Sequence, residues 1–346
     1  MSLLEKLGIR QPIFLAPMAG VSTPELAAEV SNHGGLGSLG LGASTVTAAR
    51  QQILATFELT DRPFQVNFFC HDSEALDPEI AKQWIAQFKP QFEHYSVPLP
   101  EQLQCIYPSF KDNDDFLNLV LETQPKAVSF HFGIPHLHQI QALKNAGIMT
   151  MVSATNLAEA KAIEAADIDI IIAQGIEAGG HRGIFNTKFD ASIKTSNLVK
   201  LLKQHCQIPI VAAGGIMDGM HARRMLSFGA EAVQLGTAFV QCKSSNANEA
   251  YRKALLSKPL TQITASISGR PARGIINHWH TDIDTPERLD VPAYPYTYDL
   301  AKQLHAAAIK HGEQGYGAFW AGSNAAKIRE LEAVDLMNQL ILEMMA

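Results

Sequence analysis

Residues 168–183 read IDIIIAQGIEAGGHRG. The first part, Ile168 to Ala173, is an apolar run broken only by Asp169. It is short and rich in β-branched residues, which suits a strand buried on both faces. The second part holds Gly175, Gly179, Gly180 and Gly183, with His181 and Arg182 set among them. Glycine permits positive φ and lets a ligand approach the backbone. A barrel active site needs a buried strand that delivers a glycine loop and a titratable side chain at its C-terminal end. Taken alone, the same residues also describe a glycine-rich turn with a solvated His-Arg pair.

The flanking sequence separates these readings. An apolar run at 12–18 (PIFLAPM) leads through Ser22-Thr23-Pro24-Glu25, a helix cap with proline in the first turn, into a helix over 24–32. A second strand follows at 36–40. Strand, helix and strand within thirty residues imply parallel pairing. The pattern continues with a helix at 45–57 and a strand at 64–69 (FQVNFF). Next comes a longer polar stretch, 71–125, with helices near 78–89 and 114–123. Further strands are expected at 127–132, 148–154, 168–173, 209–216 and 232–239, with helices over 136–145, 156–166, 196–205 and 218–228. Eight alternations predict an α/β fold, a (β/α)₈ TIM barrel with its site at the strand C-termini. An open doubly wound sheet is the alternative, and the lack of GxGxxG after the first strand weighs against a dinucleotide-binding version.

After the eighth strand the alternation stops. Residues 243–315 lack a clear period and hold the stretch TQITASISGR (261–270) and the tyrosines 294, 296 and 298. This segment reads as an inserted cap or lid. Residues 1–242 and 316–346 then form the barrel, with a closing helix over 324–345.

With 346 residues, 47% hydrophobic and 18% charged, the chain can bury a large core. A net charge of −6 and the lack of a basic stripe argue against a nucleic-acid partner. Cys70, Cys105, Cys206 and Cys242 are far apart, which fits reduced thiols better than a zinc or disulfide scaffold. Neither a signal-peptide core nor a membrane span stands out, so a cytoplasmic location is expected.

The seventh and eighth strands both end in glycine turns, Ala213-Gly214-Gly215 and Leu235-Gly236-Thr237. Gly214 and Gly236 are 22 positions apart, one helix plus one strand, which makes the turns neighbours. Such a pair commonly cradles a phosphate with backbone N–H groups; ordinary βα turns are the bland alternative. His131 and His181 lack partners at metal-ligand spacing, and neither HExxH nor GxSxG occurs, so no metal is expected. The strand ends offer Asn67, His131, Gln174 and His181. Amides and imidazoles around a phosphate-anchored ligand suit an organic cofactor, with a flavin the obvious candidate.

Six segments carry a family resemblance: PIFLAPMAGVSTPELAAEVSNHGGLG (12–37), QVNFF (65–69), VSFHFG (128–133), GIEAGGHRG (175–183), AAGGI (212–216) and QLGTAF (234–239). They span the whole barrel in order. With these segments the chain resembles the FMN-dependent nitronate monooxygenases, formerly 2-nitropropane dioxygenases, and specifically class I. The resemblance implies an FMN-binding barrel. Contacts to FMN fall on Ala16, Pro17, Met18, Asn67, Gln174, Gly179, Gly180, Gly214, Gly215, Gln234, Leu235, Gly236 and Thr237. The catalytic histidines map to His181 and His131. Tyr107, Tyr251, Tyr294, Tyr298 and Lys302 would surround the substrate.

The implied reaction is oxidation of an alkyl nitronate by O2 to a carbonyl compound and nitrite, through a flavin semiquinone, as a detoxification. The family suggests propionate 3-nitronate as substrate. His181 would hold the nitro group as a donor or imidazolium, or act as a general base if a neutral nitroalkane is used, and His131 would help orient it. Read structurally, His131 is a satisfied core histidine. An NAD(P)H-dependent flavin reductase of the same superfamily shares nearly every glycine motif and remains an alternative, as does a flavin-free phosphometabolite barrel.

Overall fold

The computed structural model describes all 346 residues. Its strands are β1 (Ile13–Leu15), β2 (Gly37–Gly40), β3 (Phe64–Phe69), β4 (Ala127–His131), β5 (Met149–Ala154), β6 (Ile170–Gln174), β7 (Gly180–His181), β8 (Ile210–Ala213), β9 (Ala232–Leu235), β10 (Thr261–Thr264) and β11 (Ala272–Ile275). Eight of them run parallel in the order β1-β9-β8-β6-β5-β4-β3-β2. A parallel bridge between Phe14 and Leu36 closes the ring. The alternation read in the sequence is thus a TIM barrel.

The all-apolar strands are explained by burial on two faces. In β6, Ile170 and Ile172 point into the barrel interior, packing with Phe14, Met151 and Val211. Ile171 and Ala173 point outward into the 50-residue core between sheet and helices. Period two sends alternate residues to opposite faces, and Gln174 is left at the top. The barrel floor is sealed by a short N-terminal helix, Leu3–Leu7, which the sequence pattern did not reveal. Ser2 and Glu5 form its capping box, Gly8 ends it at φ 74°, and Leu3 and Leu7 insert into the interior cluster.

Helix starts follow the expected chemistry. Thr23, Thr45, Asp77, Asn156, Asp218 and Asn248 each accept a backbone N–H at an N-cap. The last helix is shorter than expected, Ala333–Met345, preceded by a 3₁₀ turn at Ala325–Lys327. It lies so close to the helix Gly219–Ser227 that a Cβ on Gly219 would sit 2.3 Å from the Leu340 carbonyl oxygen. No helix is long and apolar enough to cross a membrane.

A second hydrophobic cluster joins two stretches far apart in sequence. Trp84, Phe88 and Phe92, from the helices Pro78–Gln87 and Lys89–His94, pack with Trp279, Leu300 and Leu304. Part of the polar stretch 71–125 therefore shares a core with the segment after strand β9. The helix Glu249–Leu256 packs elsewhere: Tyr251 and Leu255 join Val240, Ala321 and Ala325. A small antiparallel sheet, β10-β11-β7, ties the two regions together, with Ala272 opposite His181.

Candidate active site

One cavity of about 820 Å³ opens at the C-terminal ends of the barrel strands. Every residue expected at a site lines it except Tyr294. Ala16, Pro17 and Met18 follow β1, and Gly179 and Gly180 come from the loop after β6. Beside them lie the turns after β8 and β9: Ala16 N–H donates to the Leu235 carbonyl at 2.8 Å, and a Cβ on Gly214 would sit 3.0 Å from Ala178 N.

Those two turns form one end. Gly214 and Gly215 have φ of 122° and 70°, a region open to glycine at little cost. The N–H groups of Gly215 and Gly236 donate to no protein acceptor. The rear of the turns is fixed by the segment that returns to the barrel, for which the sequence suggests no site role: Asn324 Nδ2 donates to the Gly215 carbonyl at 2.6 Å, and Gly322 N–H donates to Thr237 Oγ1 at 3.0 Å. An anion placed between the turns would meet amides already aimed and free.

Along the floor, Asn67 Nδ2 donates to Ser129 Oγ at 2.9 Å and to the Ser129 carbonyl at 3.1 Å. Its Oδ1 has no protein donor. Gln234 keeps its Nε2 without a protein acceptor, while its Oε1 takes only a 3.5 Å contact from Gln65. Gln174 is different, since its amide is engaged by its own loop. Its Nε2 donates to the His181 carbonyl at 2.9 Å, and its Oε1 accepts from Arg182 Nη1 at 2.9 Å and from Gly183 N–H at 2.7 Å. Arg182 is fully buried and paired with Asp190 at 2.7 Å, so it braces the loop rather than facing solvent.

His181 is held from several sides. Its carbonyl accepts from Gln174 and from His131 Nε2, the latter at 3.0 Å. That donation fixes His131 as the Nε2–H tautomer, so its Nδ1 accepts from the Ser153 hydroxyl at 3.0 Å. Both nitrogens of His131 are thereby occupied behind the His181 backbone. The His181 ring lines the cavity, and its Nε2 lies 2.9 Å from Ser268 Oγ. Ser268 donates its own hydrogen to the Arg270 carbonyl at 3.1 Å. Donation from His181 Nε2–H to Ser268 satisfies both contacts at once, and it puts the lone pair on Nδ1, which has no protein partner. Burial, with His131 and Arg270 nearby, pulls the His181 imidazole from 6.5 to about 3. Burial takes His131 to about 4, with Arg270 and Arg182 adding to the effect. Both rings are neutral at pH 7.

The far wall is aromatic and comes largely from the region after β9. Tyr298 and Lys302 share one face of the helix Tyr296–Lys310. Lys302 Nζ donates to the Tyr107 hydroxyl at 2.8 Å and has no carboxylate in ion-pair range. Tyr251 stacks on Phe319 at 5.0 Å and donates to the Trp320 carbonyl. Tyr294 precedes the helix and stands behind the wall. Its ring is 5.8 Å from that of His181, and its hydroxyl is buried without a partner. Burial raises the Tyr107 phenol to about 12 and lifts Tyr251, Tyr294 and Tyr298 as well, so all four stay protonated. Trp320, its ring 5.2 Å from that of His181, completes the wall.

Sequence reasoning did not single out Ser153, Ser268, Arg270, Trp320, Gly322 or Asn324. In the sequence the stretch 261–270 stands out only as part of an irregular segment. The His-x-His pairs at 136/138 and 278/280 gather no third ligand, and no cluster of three metal-binding side chains exists.

A family model described as nitronate monooxygenase matches residues 1–343. A protein of Paraburkholderia phytofirmans named nitronate monooxygenase is 50% identical over 99% of this chain and 94% of its own length. The solved nitroalkane oxidase from Streptomyces ansochromogenes superposes with a TM-score of 0.89 at 36% identity, covering 99% of this chain and 98% of that one. FabK from Thermotoga maritima is more distant, with a TM-score of 0.73 at 26% identity, covering 99% and 95%.

Proposed function

The chain belongs to the nitronate monooxygenase family, and from that premise we propose that it binds FMN and oxidises small alkyl nitronates with O2 to a carbonyl compound and nitrite. The supporting observation is the single cavity. One end presents free amides for a phosphate, the floor presents amide side chains for a polar ring, and the far wall presents hydroxyls and an ammonium for an anion.

The residues fit FMN. The Gly215 and Gly236 amides would hold its phosphate. Asn67 Oδ1 would accept from the ring's imide N–H, and Gln234 Nε2 would donate to a ring acceptor. Bound there, FMN supplies the electron-accepting ring that the protein side chains lack. Around it the protein binds, orients and excludes water. A nitronate is already deprotonated at carbon and needs no strong base. Tyr107 receives the Lys302 proton donor and keeps its own hydrogen free for an anion. Tyr298 adds a second neutral hydroxyl, and the wall of Tyr251, Phe319 and Trp320 keeps bulk water away.

His181 is suited to proton acceptance. Its Nδ1 carries the lone pair and its Nε2–H is tied to Ser268, so it can take a proton from the α-carbon of a neutral nitroalkane. As a neutral ring it adds no charge against the nitronate, which leaves the anion to Tyr107, Tyr298 and Lys302. His131 is a positioning residue, acting through the His181 carbonyl. Lys302 at the rim suits a substrate with a carboxylate at the end remote from the nitronate, and we propose propionate 3-nitronate.

The test is an absorption spectrum of the purified protein followed by separate anaerobic additions of propionate 3-nitronate and NADH. Bleaching of the FMN bands by the nitronate and not by NADH, with nitrite formed on admitting air, is expected. Bleaching by NADH alone would move the protein to the reductases, and a colourless protein that FMN cannot reconstitute would end the flavin reading. His181→Asn should leave FMN bound and lower turnover of a neutral nitroalkane such as nitroethane; unchanged nitroethane turnover would refute its assignment as proton acceptor.

A further inference from the structure

Two arginines are buried near the glycine loop, and they differ in one respect. Arg182 has Asp190 as counter-ion at 2.7 Å. Arg270 is 4% exposed and has no carboxylate in ion-pair range. Of its guanidinium, Nη1 donates to the Ile184 carbonyl at 3.0 Å, and the group lies 4.4 Å from the centre of the Phe132 ring. Asp72 is already paired with Lys111 at 2.6 Å. A buried charge without a counter-ion is costly to keep unless something uses it.

Two routes connect this charge to the active site. Through its backbone, Arg270 O accepts from Ser268 Oγ, the atom that anchors His181 Nε2. Through its side chain, it covers Phe132, whose ring stands edge-on to His181 at 5.5 Å and 84° and lies 5.4 Å from Tyr294. Phe132 has φ of 79°, an unusual conformation for a bulky residue, of the kind found where a site imposes it. Between Ser268 and Arg270, Gly269 has φ of 90°, and a Cβ there would lie 2.6 Å from Tyr294 N. The turn 268–270 thus sets a hydroxyl, a close backbone approach and a charge against the same site.

We propose that Arg270 is the fixed positive charge that biases this cavity toward anions, a positioning residue that holds His181 and favours the nitronate over a neutral nitro compound without touching either. The proposal rests on the nitronate reading given above. The guanidinium lies no more than about 10 Å from the His181 ring, across protein rather than water. Screening is weak there. The other titratable and charged groups around that ring are His131, His71, Tyr294, Tyr298 and Tyr107 with Lys302 beyond it; Asp72 and Glu74 act on Arg270 itself, beyond ion-pair range.

The experiment uses the FMN-loaded enzyme, its Arg270→Met and Arg270→Lys variants, and two probes: nitrate, a planar anion shaped like a nitronate group, and nitroethane, its neutral counterpart. Binding is read from the flavin absorbance change. Arg270→Met should weaken nitrate about tenfold, the size expected of one charge at this range, and should change nitroethane much less. Arg270→Lys should restore most of the nitrate affinity. The His181 titration midpoint, followed by NMR of the labelled imidazole, should rise in Arg270→Met. Equal losses for both probes would make Arg270 a packing residue, and unchanged nitrate affinity would make it irrelevant; either overturns the proposal. If the Met variant fails to fold, Arg270→Gln, neutral but able to reach Ile184, gives the same comparison. Nitrite release from a nitronate by the wild type is a separate control: its failure would refute the activity, whereas the probe titrations judge Arg270.

Discussion

Ser268 decides which nitrogen of His181 carries the proton. Its hydroxyl has one hydrogen, given to the Arg270 carbonyl, so it can only accept from the imidazole. In Ser268→Ala the ring loses its anchor and its fixed tautomer. We expect kcat/KM for a neutral nitroalkane to fall about tenfold, typical of a lost orienting partner, with FMN content unchanged in the absorption spectrum and partial recovery in Ser268→Thr. Lys302 belongs to the same scale. Lys302 is an exposed residue overall, which limits its energetic weight. Lys302→Met should raise KM for propionate 3-nitronate by about three- to tenfold, since a charge-assisted bond at an exposed site is worth roughly 1 kcal/mol. KM for propane 2-nitronate, which has no carboxylate, should barely move. Equal effects on the two substrates would place the carboxylate elsewhere.

Among the elements, the turn after β8 is tightly constrained. Gly215 has positive φ, and an added Cβ would lie 2.8 Å from the Glu177 Cβ. Glu177 cannot readily retreat, because its carboxylate accepts from Thr195 N–H at 2.9 Å and from Thr195 Oγ1 at 3.0 Å. Gly215→Ala should therefore distort the turn that carries the amides proposed for the phosphate, at a cost of about 1–3 kcal/mol. The expected outcome is a folded protein that purifies with less than stoichiometric FMN, with weakened FMN affinity measured by flavin fluorescence. Full, tight loading would remove this turn from the cofactor site. The short strand β7 matters in another way. It is two residues long, yet its pairing with β11 and its shared carbonyl acceptor fix His181 more firmly than a free loop would.

Across the whole molecule, three buried imidazoles should govern acid stability. Burial pulls His71, His131 and His181 from 6.5 to about 4, about 4 and about 3. Between the unfolded value and these folded ones, the unfolded chain binds more protons. Stability is therefore fully present above about pH 6.5 and falls as pH drops toward 4, by about 1.4 kcal/mol per pH unit for each group. Thermal melts of the holoenzyme should show Tm falling steadily from pH 7 to pH 5. A flat profile over that interval would mean that these rings titrate normally.

The sequence by itself determined the barrel. Eight apolar runs alternating with capped helices leave few ways to bury strands on both faces, and the glycine turns mark which strand ends stand together. The stretch 168–183 also placed a histidine where such a barrel would use one. Local pattern could not show what holds that histidine. Ser268 and Arg270 lie about ninety residues from His181, and Asn324 lies over a hundred from the Gly215 carbonyl it fixes. These residues are ordinary in composition and meet the site only through the β7–β11 pairing and the return of the chain after residue 316. The tautomer of His181 was likewise settled in three dimensions, since it depends on where Ser268 sends its single hydrogen. Periodicity records which face of an element is buried; it carries no trace of a contact between distant segments, and it is those contacts that set charge and proton position in this cavity.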